Sequence, residues 1–191
     1  MRIPLDQYGT PAWSIHRLLE ARPLPAGCWL DPCAGGGAIL GAVAARRTDI
    51  LWSTYEIDRK YEAALRAHTN NVEIADFLSA PIEPRSYPPL YDVVITNPPY
   101  SLAEEFIRKC QKLAGITAML LRINFLESAA RAEWLRAWTP DIYVLPNRPS
   151  FTGRGTDATG YCWALWDWQR ENGRGSLRIL APTPKAERKM R

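Results

Sequence analysis

The sequence predicts an alternating α/β protein built on a mainly parallel sheet with helices on both faces. Three observations carry this. Short apolar runs of strand length alternate with segments of helical pattern along the chain. Four of those runs close on a polar side chain, at Asp31, Glu56, Asp76 and Asn97, and ligands bind at the carboxyl ends of strands in such sheets. After the first run comes Gly35-Gly36-Gly37, a turn in which the backbone can take positive φ and approach a ligand closely.

A helix over about Thr10–Ala21 opens the order, with Thr10 as cap and Pro11 at its first position. Cys28-Trp29-Leu30 follows as a short strand ending at Asp31, then the glycine turn and a helix over Ala38–Ala45. Ile50–Ile57 reads as a strand, Arg59–His68 as a helix and Val72–Phe77 as a strand. Leu78–Leu90 is proline-rich and reads as an irregular connection. Next come a buried strand at Tyr91–Thr96, a helix near Ala103–Leu113 and an apolar strand at Ile116–Ile123. A helix at Glu127–Trp138, a strand at Ile142–Leu145, a loop and a strand at Tyr161–Trp168 complete the order. Residues 1–181 are expected to form one domain, and the polar, basic tail 182–191 to fray. Trp134 and Trp138 lie one helical turn apart and read as a core or interface stripe.

Composition bounds the function. With 191 residues, 47% of them hydrophobic and 23% charged, the chain can bury a sizeable single core. No apolar stretch reaches the length of a membrane span, and Met1–Asp6 lacks the pattern of a signal peptide. Cys28, Cys33, Cys110 and Cys162 form no CxxC pair, and His16 and His68 complete no metal-ligand spacing with them. Neither a structural metal nor a disulfide framework is expected, and a reducing cytoplasm fits. A net charge of +4 and a pI near 9.0 are compatible with a nucleic-acid partner.

Most of the chemistry lies in Asn97-Pro98-Pro99-Tyr100, directly after the run Tyr91–Thr96. Neither proline can donate a ladder hydrogen bond, and each fixes its own φ, so the strand must end in a stiff elbow. The elbow carries a side-chain amide, carbonyls outside the ladder and one aromatic ring, which suits a planar amine. Alone, it also reads as a plain turn with a packing Tyr. Asp31-Pro32-Cys33-Ala34-Gly35-Gly36-Gly37 lacks the Lys-Ser/Thr ending of a phosphate loop. A GxGxxG pattern started at Gly35 meets Leu40 at its third glycine position. Tight packing of helix on sheet is the alternative reading of this turn. Glu56, about 20 residues further on, suits hydrogen bonds to ribose hydroxyls, while Asp58 reads as a helix cap. Asp76 can accept from an adenine amine with Phe77 packed on the ring, or can be a turn Asp beside a core Phe.

Taken in order, these four sites resemble the S-adenosylmethionine-dependent amino-methyltransferases of DNA. The resemblance is strongest in the elbow together with the segment Asp31–Gly37. Upstream, Tyr8-Gly9-Thr10-Pro11-Ala12-Trp13 is similar to the N-terminal cofactor segment of small phage and prophage adenine-N6 methyltransferases. Downstream, Arg148-Pro149-Ser150-Phe151-Thr152-Gly153 and Gly160-Tyr161-Cys162-Trp163 are similar to their late active-site loop and its strand. The likeness runs from about residue 6 to 168, in the family's gamma order. It implies a Rossmann-like class I methyltransferase fold, with a mainly parallel seven-stranded sheet and helices on both faces. It also implies S-adenosyl-L-methionine as cofactor, single- or double-stranded DNA as partner, a monomer or weak dimer, and the cytoplasm of a bacterial host.

Residue roles follow from the same resemblance. Tyr8 belongs to the cofactor segment, and Thr10 and Pro11 would lie by the methionine moiety. Asp31, Pro32, Cys33, Ala34 and Gly35 would border the cofactor from the glycine turn. Glu56, with Ile57 beside it, would bind the ribose, and Asp76 and Phe77 would frame the adenine. Asn97 and the Pro98 carbonyl would bind the target amine at the elbow that Pro99 completes. Tyr100 would stack on a flipped base, with Phe151 as the second wall. Arg148 and Arg154, with Arg85, are candidate phosphate contacts, each also readable as a solvated side chain. Many relatives have Phe where this chain has Cys33, which is read as a packing residue rather than a nucleophile. Direct transfer to an amine needs no covalent enzyme intermediate. Two acceptors on the amine hydrogens turn its nitrogen toward sp3 character and aim the lone pair at the methyl.

Larger sequence-specific enzymes of this kind add a target-recognition domain. Here nearly every segment is used by the catalytic core. Recognition is therefore expected from the loops Ser79–Leu90, Ser101–Glu105 and Asn147–Thr159, with short or relaxed sequence preference. An Asn-first elbow leans toward adenine N6. Cytosine N4 in DNA, adenine in RNA and the side-chain amide of protein glutamine are the alternative targets. A non-catalytic nucleic-acid-binding module on the same fold is a further reading, opposed by the intact elbow and glycine turn.

Overall fold

The computed structural model describes residues 9–83, 88–151, 158–168 and 175–188. Helix α1 (Ala12–Ala21) leads into β1 (Gly27–Asp31), and α2 (Ala38–Ala44) into β2 (Ile50–Glu56). A 3-10 turn at Arg59–Tyr61 precedes α3 (Glu62–Arg66) and β3 (Val72–Ile74). Then come β4 (Tyr91–Thr96), a 3-10 turn at Tyr100–Leu102, α4 (Ala103–Cys110) and β5 (Ala114–Arg122). A third 3-10 turn, α5 (Ala129–Ala137), β6 (Asp141–Leu145), β7 (Tyr161–Asp167), β8 (Leu177–Ile179) and α6 (Lys185–Arg188) follow.

The strands lie in one sheet in the order β3-β2-β1-β4-β5-β7-β6-β8. Pairing is parallel from β3 through β5 and between β6 and β8, and antiparallel where β7 lies between β5 and β6. The chain moves outward from β1 to β3, then returns to β1's other side at β4. The carboxyl ends of β1 and β4 therefore flank the switch point, where a crevice opens in sheets of this kind.

Strand parity divides the core between the two faces. Val93, Ile95, Ala118 and Leu120 face a cluster with Ile15 and Leu18 of α1 and Ile39 and Val43 of α2. Their neighbours Val94, Met119 and Leu121 face a second cluster with Phe106, Ile107 and Cys110 of α4. Leu65 of α3 packs with Leu40 and Val72 at the sheet edge. Among the described residues, no helix is long and apolar enough to cross a membrane.

The structure corrects several expectations. The sheet has eight strands, not seven. β3 stops at Ile74 because Asp76 turns back on its own loop, accepting from the Leu78 N–H at 3.0 Å. Pro11, not Thr10, is the N-cap of α1, and Thr10 makes no capping bond there. The segment 183–188 is docked rather than frayed: the Thr183 N–H donates to Asn147 Oδ1 at 2.6 Å, and Arg17 pairs with Glu187 at 3.1 Å. Trp134 and Trp138 share one aromatic patch, because their partners Trp166 and Trp168 stack on each other at 6.2 Å. Trp134 packs on Trp166, whereas Trp138 is 44% exposed and meets Trp168 edge-on. All four cysteines are free.

Candidate active site

The site begins where β1 ends. Asp31 is 1% exposed. Its Oδ1 accepts from the Thr96 hydroxyl at 2.7 Å and from the Cys33 N–H at 3.3 Å. Burial pushes its carboxyl from 3.8 up to about 7, against these two hydrogen bonds and with a small push from Glu56. After Pro32, the Ala34 N–H donates to the Tyr55 carbonyl, tying the turn to β2. Gly35 takes φ +51°, and a Cβ there would meet nothing within 4 Å, so its missing side chain leaves open space. The Gly35 N–H donates to Glu56 Oε2 at 2.7 Å, and Glu56 Oε1 accepts from the Asp58 N–H at 2.9 Å. Asp58 caps the next turn by accepting from the Lys60 N–H, as its position suggests.

The third strand end behaves differently. Asp76 accepts from the Leu78 N–H and, at 2.9 Å, from the Ser79 hydroxyl. Phe77 is 2% exposed, stacked on Phe106 and edge-on to Tyr55. It is a core ring that also lines the cleft, so it offers a wall rather than an open stacking face. Lys109 of α4 holds this turn. Its ammonium donates to the carbonyls of Phe77 (2.6 Å), Leu78 (3.2 Å) and Ala80 (2.6 Å), and burial lowers its pKa.

At the end of β4, Thr96 is fully buried and Asn97 half-buried. The Asn97 amide oxygen is buried and has no hydrogen-bond partner among the described residues. Pro98 is buried, and Pro99 turns the chain with ψ 122° into the helical turn that starts at Tyr100. Cys33 does more than pack: its sulfur lies 2.9 Å from Thr96 Oγ1 and 3.5 Å from the Asn97 carbonyl oxygen. Burial, and then the neighbouring Asp31, push its thiol well above its ordinary value, so it stays neutral.

These strand ends enclose a cleft of about 880 Å³. Of the expected residues, Thr10, Asp31, Pro32, Cys33, Ala34, Gly35, Glu56, Ile57, Asp76, Phe77, Asn97 and Pro99 line it. Pro11, Pro98, Tyr100, Arg148 and Phe151 do not. Tyr8, Arg85 and Arg154 lie outside the described residues. Tyr61, Ser79, Ser101, Leu102, Glu105 and Phe106 also line the cleft without having been expected in the cofactor region. The four-residue spacing of Leu102 and Phe106 after the elbow was the one available signal for them. The charged side chains of the lining are Asp31, Glu56, Asp76 and Glu105; among the described residues, no Lys, Arg or His lines it. Such a cleft favours a cationic ligand and opposes phosphate.

A second cluster lies beside the elbow. Tyr100 and Phe151 both pack on the buried Tyr161, with ring centroids 5.8 and 5.1 Å away. The Arg122 guanidinium lies 4.5 Å from the Tyr100 centroid, and its Nε donates to the Tyr161 hydroxyl at 3.2 Å. Nothing in the sequence marked Arg122, the last residue of β5. Arg148 is exposed.

No protein-family model matches the chain, and no curated protein matches it. Solved structures do. A protein from Listeria monocytogenes inferred to be a class I S-adenosylmethionine-dependent methyltransferase superposes with a TM-score of 0.65 at 13% identity. The match covers 94% of this chain and 68% of that one. The 23S rRNA methyltransferase ErmE gives a TM-score of 0.61 at 18% identity, covering 87% and 71%. A modification subunit of an inferred type I restriction enzyme from Vibrio vulnificus YJ016 gives 0.62 at 14%, covering 94% and 48%. These likenesses establish the fold, which is the Rossmann-like class I methyltransferase fold.

Proposed function

We propose that the chain transfers a methyl group from S-adenosyl-L-methionine to the exocyclic N6 amine of adenine in DNA, with short or relaxed sequence preference. The observation that carries this reading is the Asn97 amide oxygen. It is a buried acceptor without a partner among the described residues, at a central strand end beside an acidic cleft. Leaving such an acceptor unmade costs about 1–3 kcal/mol, and an amine N–H would satisfy it.

The cleft fits the cofactor. S-adenosylmethionine carries cationic sulfonium and ammonium groups and no phosphate, matching a lining whose charged residues are all acidic. Asp31 and Thr10 would hold the methionine end. Each Glu56 oxygen accepts one N–H and keeps capacity for a ribose hydroxyl. Ile57, 45% exposed at the cleft, and Leu78 offer apolar surface to the adenine. The bound cofactor supplies an electrophilic methyl. The protein's part is to orient the amine: Asn97 Oδ1 and the Pro98 carbonyl accept its two hydrogens and direct its lone pair. Tyr100 gives the extrahelical base a stacking surface, next to Phe151 and Tyr161.

A nucleic-acid substrate is supported by the net charge of +4 and by the rRNA methyltransferase and restriction-modification subunit among the structural neighbours. Adenine in RNA is the second reading, favoured by the likeness to ErmE. The test is incubation with labelled cofactor and unmethylated DNA, RNA or a glutamine-containing protein, then digestion and mass spectrometry. N6-methyladenine at many plasmid sites without a long shared motif is the expected product. Label in RNA alone would select the second reading, and label in protein alone would refute both.

A further inference from the structure

Cys33 stands between the two halves of the site. Asp31 Oδ1, Thr96 Oγ1, Cys33 Sγ and the Asn97 carbonyl oxygen are joined in a chain by steps of 2.7, 2.9 and 3.5 Å. It links the carboxyl group at the end of β1 to the peptide of the elbow. A hydroxyl and a thiol carry one hydrogen each, so the chain has two fully ordered directions, one matched to each charge state of Asp31. With Asp31 ionised, the Thr96 hydroxyl donates to the carboxylate and the Cys33 thiol donates to Thr96. With Asp31 protonated on Oδ1, its O–H donates to Thr96, Thr96 donates to the sulfur, and the thiol donates to the Asn97 carbonyl.

We propose that Thr96 and Cys33 are positioning residues that carry the charge state of Asp31 to the Asn97–Pro98 peptide. Occupancy of the cofactor end of the cleft is thereby felt at the elbow. This rests on the reading of Asp31 as the partner of the cofactor's ammonium group. A cation there holds Asp31 ionised, turns the thiol toward Thr96 and frees the Asn97 carbonyl. An empty cleft in mild acid does the reverse. The only proton gained or lost is on Asp31; the two intervening hydrogens change acceptors. The groups facing Asp31 are Glu56 from β2, Cys33 from the turn and Cys110 from α4. Burial keeps both thiols neutral, and Glu56 is held by two backbone N–H groups. The reversal is centred near the Asp31 midpoint of about 7.

The infrared S–H stretch of Cys33, isolated as a difference against Cys33→Ala, reports which atom the thiol donates to. The expected result is one band at about pH 5.5 and another at about pH 8.5, around the Asp31 midpoint, with saturating S-adenosylmethionine producing the second band at the lower pH. Thr96→Val should abolish the dependence and Thr96→Ser retain it, which separates a broken relay from misfolding. Cofactor affinity by calorimetry should fall up to about tenfold per pH unit below the midpoint. A band that ignores pH, or moves equally in Thr96→Val, overturns the relay. So does cofactor binding without a band shift at the lower pH. Absence of calorimetric binding at every pH overturns instead the function proposed above, and with it the cofactor half of this inference.

Discussion

Replacing Asp31 by Asn should stabilise the protein, by an amount that grows with pH. Asp31 is 1% exposed, and burial holds its carboxyl at about 7 instead of 3.8. The folded state therefore binds this proton more tightly than the unfolded chain. Below about pH 4 both states are largely protonated and the cost is small. From about pH 4 to 7 the unfolded chain releases the proton while the folded one keeps it, so stability falls as pH rises. Above that range the full cost is present. At about 1.36 kcal/mol per pKa unit it is about 4 kcal/mol. Asp31→Asn keeps an oxygen to accept from Thr96 and Cys33 and removes the charge. Urea denaturation without cofactor should show a gain of about 1–2 kcal/mol at about pH 5 and about 4 kcal/mol at about pH 8.5. Groups that do not face Asp31 are common to both proteins and cancel in the difference. A gain that does not change with pH, or a variant less stable than the parent at the higher pH, would show that burial does not raise the Asp31 carboxyl. The same substitution should weaken cofactor binding, because the strained carboxylate is the group that a cation relieves.

Lys109→Met leaves three carbonyls of the 77–80 turn without their ammonium. Amide exchange in that turn should accelerate and the cofactor Kd rise about tenfold, with kcat little changed. Gly35→Ala must place a Cβ at φ +51°, a cost of about 1–2 kcal/mol. Its methyl group enters the space at the cleft, so calorimetry should show cofactor affinity falling by more than stability does. Tyr100→Ala removes the stacking surface, worth about 1–3 kcal/mol per base. The KM for DNA should rise about 5- to 150-fold while cofactor Kd stays constant; an unchanged KM would remove Tyr100 from the base site.

What the sequence reveals follows from the range of the interactions involved. The ends of β1, β2 and β4 were legible because each is an apolar run stopped by a residue that cannot continue it: Asp31 before a proline, Glu56 before a helix cap, Asn97 before two prolines. The two-sided core follows from strand parity at Val93–Ile95 and Ala118–Leu121. β3 was overextended because the Asp76 turn ends it through side-chain bonds that a run of residue types does not display. β8 and the segment after Thr183 were missed because distant partners hold them, Val144 on β6 for one and Asn147 and Arg17 for the other. Nothing in the sequence marked Lys109; only the fold brings its ammonium to three carbonyls. Thr96 was hidden in the same way inside an apolar run, and so was the bond that joins it to Cys33.

The proposed function turns on Asn97 as the acceptor that grips a target amine beside a cofactor cleft. The most direct test is single-turnover methylation of adenine-containing DNA by the parent and by Asn97→Ala, with cofactor Kd measured separately by calorimetry. The parent should yield N6-methyladenine, with a rate about 10²–10³-fold lower in the variant and a cofactor Kd changed by less than about twofold. A variant that methylates adenine at the parental rate, or a parent that binds the cofactor yet never methylates adenine, would contradict the proposed function.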